Sequence, residues 1–454
     1  MRAGRGLWGL VASSVVSVSV VVTCSASSPQ EGEHPAGSVG ADEGDGRGEV
    51  ERLSVVPSLP EQAGAPETKG SKSSEGEKES KEPKKTGGAL RLALGVHHSC
   101  ALERGELRCW GINRFGILGV GEPEVDKLLA PQRVPGLPPV LEVVADYDFT
   151  CALVEGGAVY CWGDNDSGQL GDGTTDRRSE PTRVDVPVAD GIVAGFRRGC
   201  AATGGGFECW GTGTLGDGSE HYREAPLPIA ELRGVDRLAL SDGHACTLRG
   251  AEVRCWGDNS RGQLGNGEGG CRNLREACPG SRCLPPKECK RGPTPVRPRG
   301  LPPVVSVAVG GSRSYALDET GTVWSWGQEG TSLDFGEDNP RYRPQVLAGV
   351  ATMVEVDANG GHACGRTGAG KLWCWGENAY GELGHPPGPR GGIEEPSLVE
   401  GLPPVRAFAL GFHHTCAITG AEGSEAVWCW GDNSYGQLGD GTTERRHRPV
   451  EVRL

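Results

Sequence analysis

The sequence predicts an all-β fold, a seven-bladed β-propeller closed into a ring between its N- and C-terminal strands. Three observations carry this. Trp-Gly pairs recur at Trp110, Trp162, Trp210, Trp256, Trp326, Trp375 and Trp430, at spacings of 52, 48, 46, 70, 49 and 55. Gly (75) and Pro (32) make up nearly a quarter of the 454 residues, a density of chain-reversing residues that suits many short strands and breaks long helices. The stretch Cys161 to Arg178 returns at 429–446 with 15 of 18 residues identical, so the chain is a repeat array.

Each unit has one internal order. An apolar alternation such as Val305-Ser-Val-Ala-Val309 is followed by a short turn, a strand like Cys151-Ala-Leu153, a Gly turn and a second strand, Ala158 to Trp162. A loop of the Asn-x-x-Gly-Gln-Leu-Gly type and an extended Pro-Val segment complete it. A unit of about 50 residues with several short strands reads as a propeller blade, which cannot bury its two faces alone. The chain enters with Leu90 to Leu94 and leaves with Arg448 to Leu454, two partial units expected to make up one blade and so remove a free sheet edge.

The pattern Gly-x-His-x-Cys-Ala-Leu, Cys-Trp-Gly, Asn-x-x-Gly-Gln-Leu-Gly resembles the regulator of chromosome condensation repeat family, over 89–454. The resemblance implies a seven-bladed propeller. Units three and five depart from it: Trp210-Gly-Thr-Gly-Thr-Leu-Gly is shortened, and the segment after Trp326 lacks the Gln-Leu-Gly loop. Local irregularity is expected in those two blades.

Outside the propeller, Arg2, Arg5 and the uncharged run Leu7 to Val22 read as an export signal, too short for a membrane span. Val21-Val22-Thr23-Cys24 resembles a bacterial lipobox, which implies lipidation of Cys24 over residues 1–24; ordinary cleavage after Ala26 is the rival reading. Residues 25–88 hold few large apolar side chains and interleaved charges, the composition of a disordered polar linker. The expected address is extracytoplasmic: an outer-membrane or cell-surface lipoprotein, or a secreted protein.

The cysteines follow the blades. Six units place one in each hairpin strand: Cys100/Cys109, Cys151/Cys161, Cys200/Cys209, Cys246/Cys255, Cys364/Cys374 and Cys416/Cys429. The fifth has Tyr315 and Ser325, having lost both together, so the pairs are expected as cross-strand disulfides. Cys271, Cys278, Cys283 and Cys289 lie in an insert at 268–292; they read as two further disulfides of unassigned pairing, since they lack the close C-x2-C spacing of zinc sites. Only Cys24 is then left over among the 17.

No catalytic motif stands out, and neither a metal nor another cofactor is expected. Asp164-Asn-Asp166-Ser-Gly168 has oxygens at alternate positions but lacks the closing carboxylate of a calcium loop, so turn chemistry accounts for it. His98, His244, His362 and His414 stand two residues before a hairpin Cys, where Phe149, Arg198 and Arg313 stand in other units; a structural His bonding a neighbouring turn is expected. The residue two before each Trp-Gly Trp is Arg108, Tyr160, Glu208, Arg254, Trp324, Trp373 or Trp428, making the three adjacent Trp candidates for partner contact. A net charge of −14 opposes nucleic-acid binding. The expected function is a monomeric, non-enzymatic binding scaffold recognising a protein or glycan through rim loops, held at a membrane by its lipid if Cys24 is modified. The resemblance allows two alternatives, an inhibitor of a secreted or periplasmic enzyme and a guanine-nucleotide exchange factor.

Overall fold

The computed structural model describes residues 89–121, 124–218, 222–268, 292–327, 339–388 and 393–454. Cys24, the linker 25–88 and the insert cysteines Cys271, Cys278, Cys283 and Cys289 lie outside them. Among the described residues the chain forms seven four-stranded antiparallel sheets, each from consecutive strands, arranged as a propeller. In the first blade the strands run from Arg91–Leu94 at the channel through His98–Glu103 and Glu106–Ile112 to Lys127–Arg133 at the outside.

The second and third strands of every blade pair in the same register, which sets six Cys pairs directly opposite each other. All six pairs are bridged: Cys100 to Cys109, Cys151 to Cys161, Cys200 to Cys209, Cys246 to Cys255, Cys364 to Cys374 and Cys416 to Cys429. The Cα atoms of each pair are 4.1 Å apart. Every one of these cysteines is at most 2% exposed, so the bridges brace the blades from within and offer no surface for contact or chemistry. In the fifth blade Tyr315 faces Ser325, and the buried Tyr315 ring fills the gap by meeting Trp375 edge-on at 5.9 Å.

Seven apolar cores lie between blades, each made of the facing sides of two neighbouring sheets. The bridges are part of these cores: Cys109 and Cys100 pack with Trp162, Cys209 and Cys200 with Trp256, Cys255 and Cys246 with Trp326. Likewise Cys374 and Cys364 pack with Trp430, and Cys429 and Cys416 with Trp110. The Trp-Gly tryptophans sit in the seams at 0 to 1% exposure. Each such indole removes one of the largest apolar surfaces in the chain from water, so the seams dominate the energetics.

The ring closes, but the terminal segments do not share a blade as expected. Arg91–Leu94 pairs within the first sheet, and Arg446–Val452 pairs with Ala426–Gly431 in the seventh. Closure is by packing: Leu90, Leu92 and Leu94 share one core with Ala407, Ala409 and Val452. The two end segments are the innermost strand of the first blade and the outermost strand of the seventh, so both blades are complete.

The loop after Trp-Gly, in the six units where it is described, supplies the reason strand exchange is unnecessary. It reaches across to the next blade and latches there. The carbonyls of Ile117, Gln169, Thr214, Gln263, Glu382 and Gln437 each accept the indole N–H of the following blade's tryptophan at 2.8–3.0 Å. The Gly two residues further on lies flat against that indole: a Cβ on Gly171, at φ +68°, would sit 2.8 Å from the Trp210 ring. From the seventh blade, Gln437 latches Trp110 and Gly441 N–H donates to the Leu129 carbonyl, so the ring is closed by the same device seen at the other five described latches. The shortened third unit keeps it through Thr214. The corresponding loop of the fifth unit lies outside the described residues.

Candidate interaction rim

The histidines belong to these latches. His98, His244, His362 and His414 place Nε2 2.8–2.9 Å from Thr150, Ser314, Thr415 and Ser99 of the next blade. Those hydroxyls in turn donate to the latch carbonyls of Ile117, Gln263, Glu382 and Gln437. A hydroxyl has one proton to give, so the ring Nε2–H donates to it and the imidazole is neutral. Burial lowers the pKa of His98, His244 and His362 to about 3 and holds His414 well below the usual range. In the third blade Arg198 replaces the histidine and donates to the Thr214, Ser241 and His244 carbonyls. The structural reading of the histidines holds.

The loop carboxylates are equally committed. Asp164 accepts from Gln169 and Arg177, and Asp166 also pairs with Arg177. Asn165 clamps the loop, its amide donating to the Thr174 and Asp176 carbonyls while its oxygen accepts from Leu170 N–H. The seventh copy repeats this with Asp432 and Asn433. Internal hydrogen bonds account for these acidic loops.

Trp324, Trp373 and Trp428 are half-buried, each packed against the core of a different seam. Trp324 and Trp428 donate their N–H to Asp318 and Thr419, while the buried Trp373 Nε1 has no partner among the described residues. Among the described residues no ring contact joins any two of them, so they line separate seams.

A different set does come together, at the rim formed by the turns between first and second strands and the latch loops. Phe115 carries the guanidiniums of Arg114 and Arg177 at 4.3 and 4.0 Å from its centroid. Tyr147 meets Phe196 edge-on at 5.0 Å, and Arg197 lies over both. Arg445 covers Tyr380 at 4.6 Å, Tyr380 stacks on His413, and His97 on Tyr435. The contacts of Arg177 with Phe115, Tyr147 with Phe196, Tyr380 with Arg445 and His413, and His97 with Tyr435 cross from one blade to the next, so the set forms a crescent over blades six, seven, one, two and three.

Three crescent residues hold left-handed backbone: Phe115 (φ 64°), Tyr147 (34°) and Phe196 (52°). At the position of Tyr147 and Phe196, blades five and six carry Gly311 and Gly360 at φ 51° and 52°. A bulky residue there costs on the order of 1 kcal/mol or more, and such strain clusters at functional sites. The crescent surrounds the mouth of the central channel, an apolar lining of Leu94, Val144, Val193 and Ala308 broken by Asp146 and Asp357. Burial raises both carboxyls to about 7, Asp242 adding to the effect at Asp146.

Sequence comparison agrees with this architecture. The Regulator of chromosome condensation (RCC1) repeat matches at 104–153, 156–195, 369–418 and 424–454, and a second model of that repeat at 142–169, 304–331, 353–382 and 405–437. The chain is 30% identical over 350 residues to the Ultraviolet-B receptor UVR8 of Arabidopsis thaliana, covering 72% of each. It is 27% identical over 373 residues to the E3 ubiquitin-protein ligase HERC2 of Mus musculus, covering 76% of this chain but 7% of that one. Among solved structures, yeast RCC1 (Prp20) bound to Kap60 superposes with a TM-score of 0.63 at 22% identity, over 81% of this chain and 84% of that one. Human WBSCR16 gives 0.62 at 22% identity, over 77% and 94%. The chain belongs to the RCC1 repeat family.

Proposed function

We propose that the protein is a monomeric, non-enzymatic scaffold acting outside the cytoplasm, where its rim binds a protein partner. The six blade disulfides carry this reading, because cross-strand bridges repeated around a ring persist in oxidising compartments and are reduced in the cytosol. The N-terminal Arg2, Arg5 and apolar run, with Cys24 as the lipidated residue, supply the address, and residues 25–88 the tether. A latched and bridged ring loses little conformational entropy on binding, which favours recognition by loops held in place. A binder of this kind that occludes an enzyme's site would also serve as its inhibitor. Within this reading Trp324, Trp373 and Trp428 are secondary candidates for contact, since much of each indole is committed between blades.

The test is the intact mass, without reduction, of the protein recovered from its own host. A mature chain beginning at Cys24, carrying acyl mass and with every other cysteine oxidised, is the expected result. A full-length chain with free thiols would overturn the address and favour an exchange factor.

A further inference from the structure

We infer that the crescent over blades six, seven, one, two and three is a docking surface for an acidic protein segment, a reading that rests on the binding scaffold above. Two features support that occupant.

The first is what the rings leave available. A glycan docks by laying a sugar face on an aromatic face. Here Phe115, Tyr147, Phe196 and Tyr380 already carry the guanidiniums of Arg114, Arg177, Arg197 and Arg445. The rim therefore presents guanidinium planes backed by aromatic rings. A guanidinium held beside a ring keeps N–H donors at its edge, and a carboxylate can accept from two of them at once.

The second is guanidinium donors left without a bonded carboxylate. Arg177 and Arg445 are paired with Asp164, Asp166 and Asp432, so they are fixed in place by the latch loops. Among the described residues Arg114 and Arg197 form no ion pair; Arg114 is exposed, and Arg197 has Ser167 as its hydrogen-bond partner. Asp148 is close enough to feel Arg114, Arg197 and Arg177, yet none of them bonds to it. Two guanidiniums on blades one and three thus await carboxylates.

The experiment uses the full disulfide-intact protein and a short fluorescein-labelled peptide rich in Glu, Asp and Leu, read by anisotropy at low and moderate salt. Saturable binding is expected, weakened about tenfold or more by Arg114→Glu with Arg197→Glu. Arg114→Lys with Arg197→Lys should give an intermediate loss, because the charge stays and the planar fork goes. Arg249→Glu, a charge reversal at an exposed turn on the opposite rim, should leave binding unchanged. No saturable binding, equal binding by the charge-reversed variant, or equal binding of heparin in place of the peptide overturns the inference. So does binding of cellotriose that the Arg variants abolish, which would make the rim a glycan site. The scaffold reading itself stands or falls by the intact mass, so the two failures are distinguishable.

Discussion

The two rims of the ring are built from the same repeat and carry opposite chemistry. Where second and third strands connect, the left-handed positions are filled by Gly105, Gly156, Gly205, Gly250 and Gly321, with Arg104 the exception. The chain returns there through Gly-Leu-Pro-Pro segments at 136–139, 300–303 and 401–404. Where first and second strands connect, Tyr147 and Phe196 occupy left-handed backbone that other blades give to glycine. One rim is optimised for reversing the chain. The other accepts strain and retains half-exposed aromatic and guanidinium groups, the contrast on which the proposed docking face rests.

The largest expected effect breaks the seams that support both rims. Trp210→Ala should destabilise the disulfide-intact protein by about 3–5 kcal/mol in urea unfolding, since a fully buried indole and its latch hydrogen bond are lost together. Trp373→Ala, half-buried, should cost clearly less. Removing one bridge with Cys151→Ala and Cys161→Ala should cost about 2–3 kcal/mol for its short loop.

Glycine substitutions sharpen the contrast. Gly171→Ala meets the Trp210 ring and a left-handed φ of +68°, whereas Gly250→Ala has a φ of +58° and open space within 4 Å. The second should cost about 1 kcal/mol from backbone strain alone, and the first more by thermal melting.

The channel gives a pH test. The Asp357 carboxyl is raised to about 7, above its value in the unfolded chain, so the unfolded state releases its proton first and stability from this group is lost as pH rises from about 4 through 7. Asp357→Asn should raise the melting temperature at pH 8 and leave it nearly unchanged at pH 4. His98, His244 and His362 act with the opposite sign: their pKa falls to about 3, so the unfolded state takes up protons first and stability declines as pH drops below about 6.5. Thr150→Val removes the hydroxyl that His98 bonds and should make that decline start from a less stable protein.

The smallest stability effect is expected at the strained rim. Phe196→Gly relieves the left-handed backbone while removing the contact with Tyr147, so unfolding free energy should change by no more than about 1 kcal/mol. Binding of the acidic peptide should weaken nonetheless.

Much of this was legible in the sequence, and for a physical reason. Trp-Gly recurs because one indole must fill each seam. The pairs from Cys100 with Cys109 to Cys416 with Cys429 recur, and vanish together in the fifth unit, because the hairpin register opposes them. The histidines could be assigned to turns because Phe149, Arg198 and Arg313 take the same position in three other units without loss of the repeat. The closure was misjudged, since leftover strands suggest a shared blade while the latch loops that close the ring read locally as turns. The crescent was missed for a similar reason. Phe115, Tyr380 and Tyr435 precede the loop glycine in units one, six and seven, and Tyr147, Phe196 and Phe412 share a turn position, but their convergence depends on stacking between neighbouring blades. The turn columns hold that signal across units, just as the strand column ending in Trp324, Trp373 and Trp428 holds its own.

The most direct test is photo-crosslinking in the host, with benzoylphenylalanine placed at Arg114 on the crescent and, separately, at Thr320 on the opposite rim. The expected result is a single protein adduct from position 114, mapping to an acidic segment of the partner, and none from position 320. An adduct from position 320 alone would contradict the assignment of the binding face.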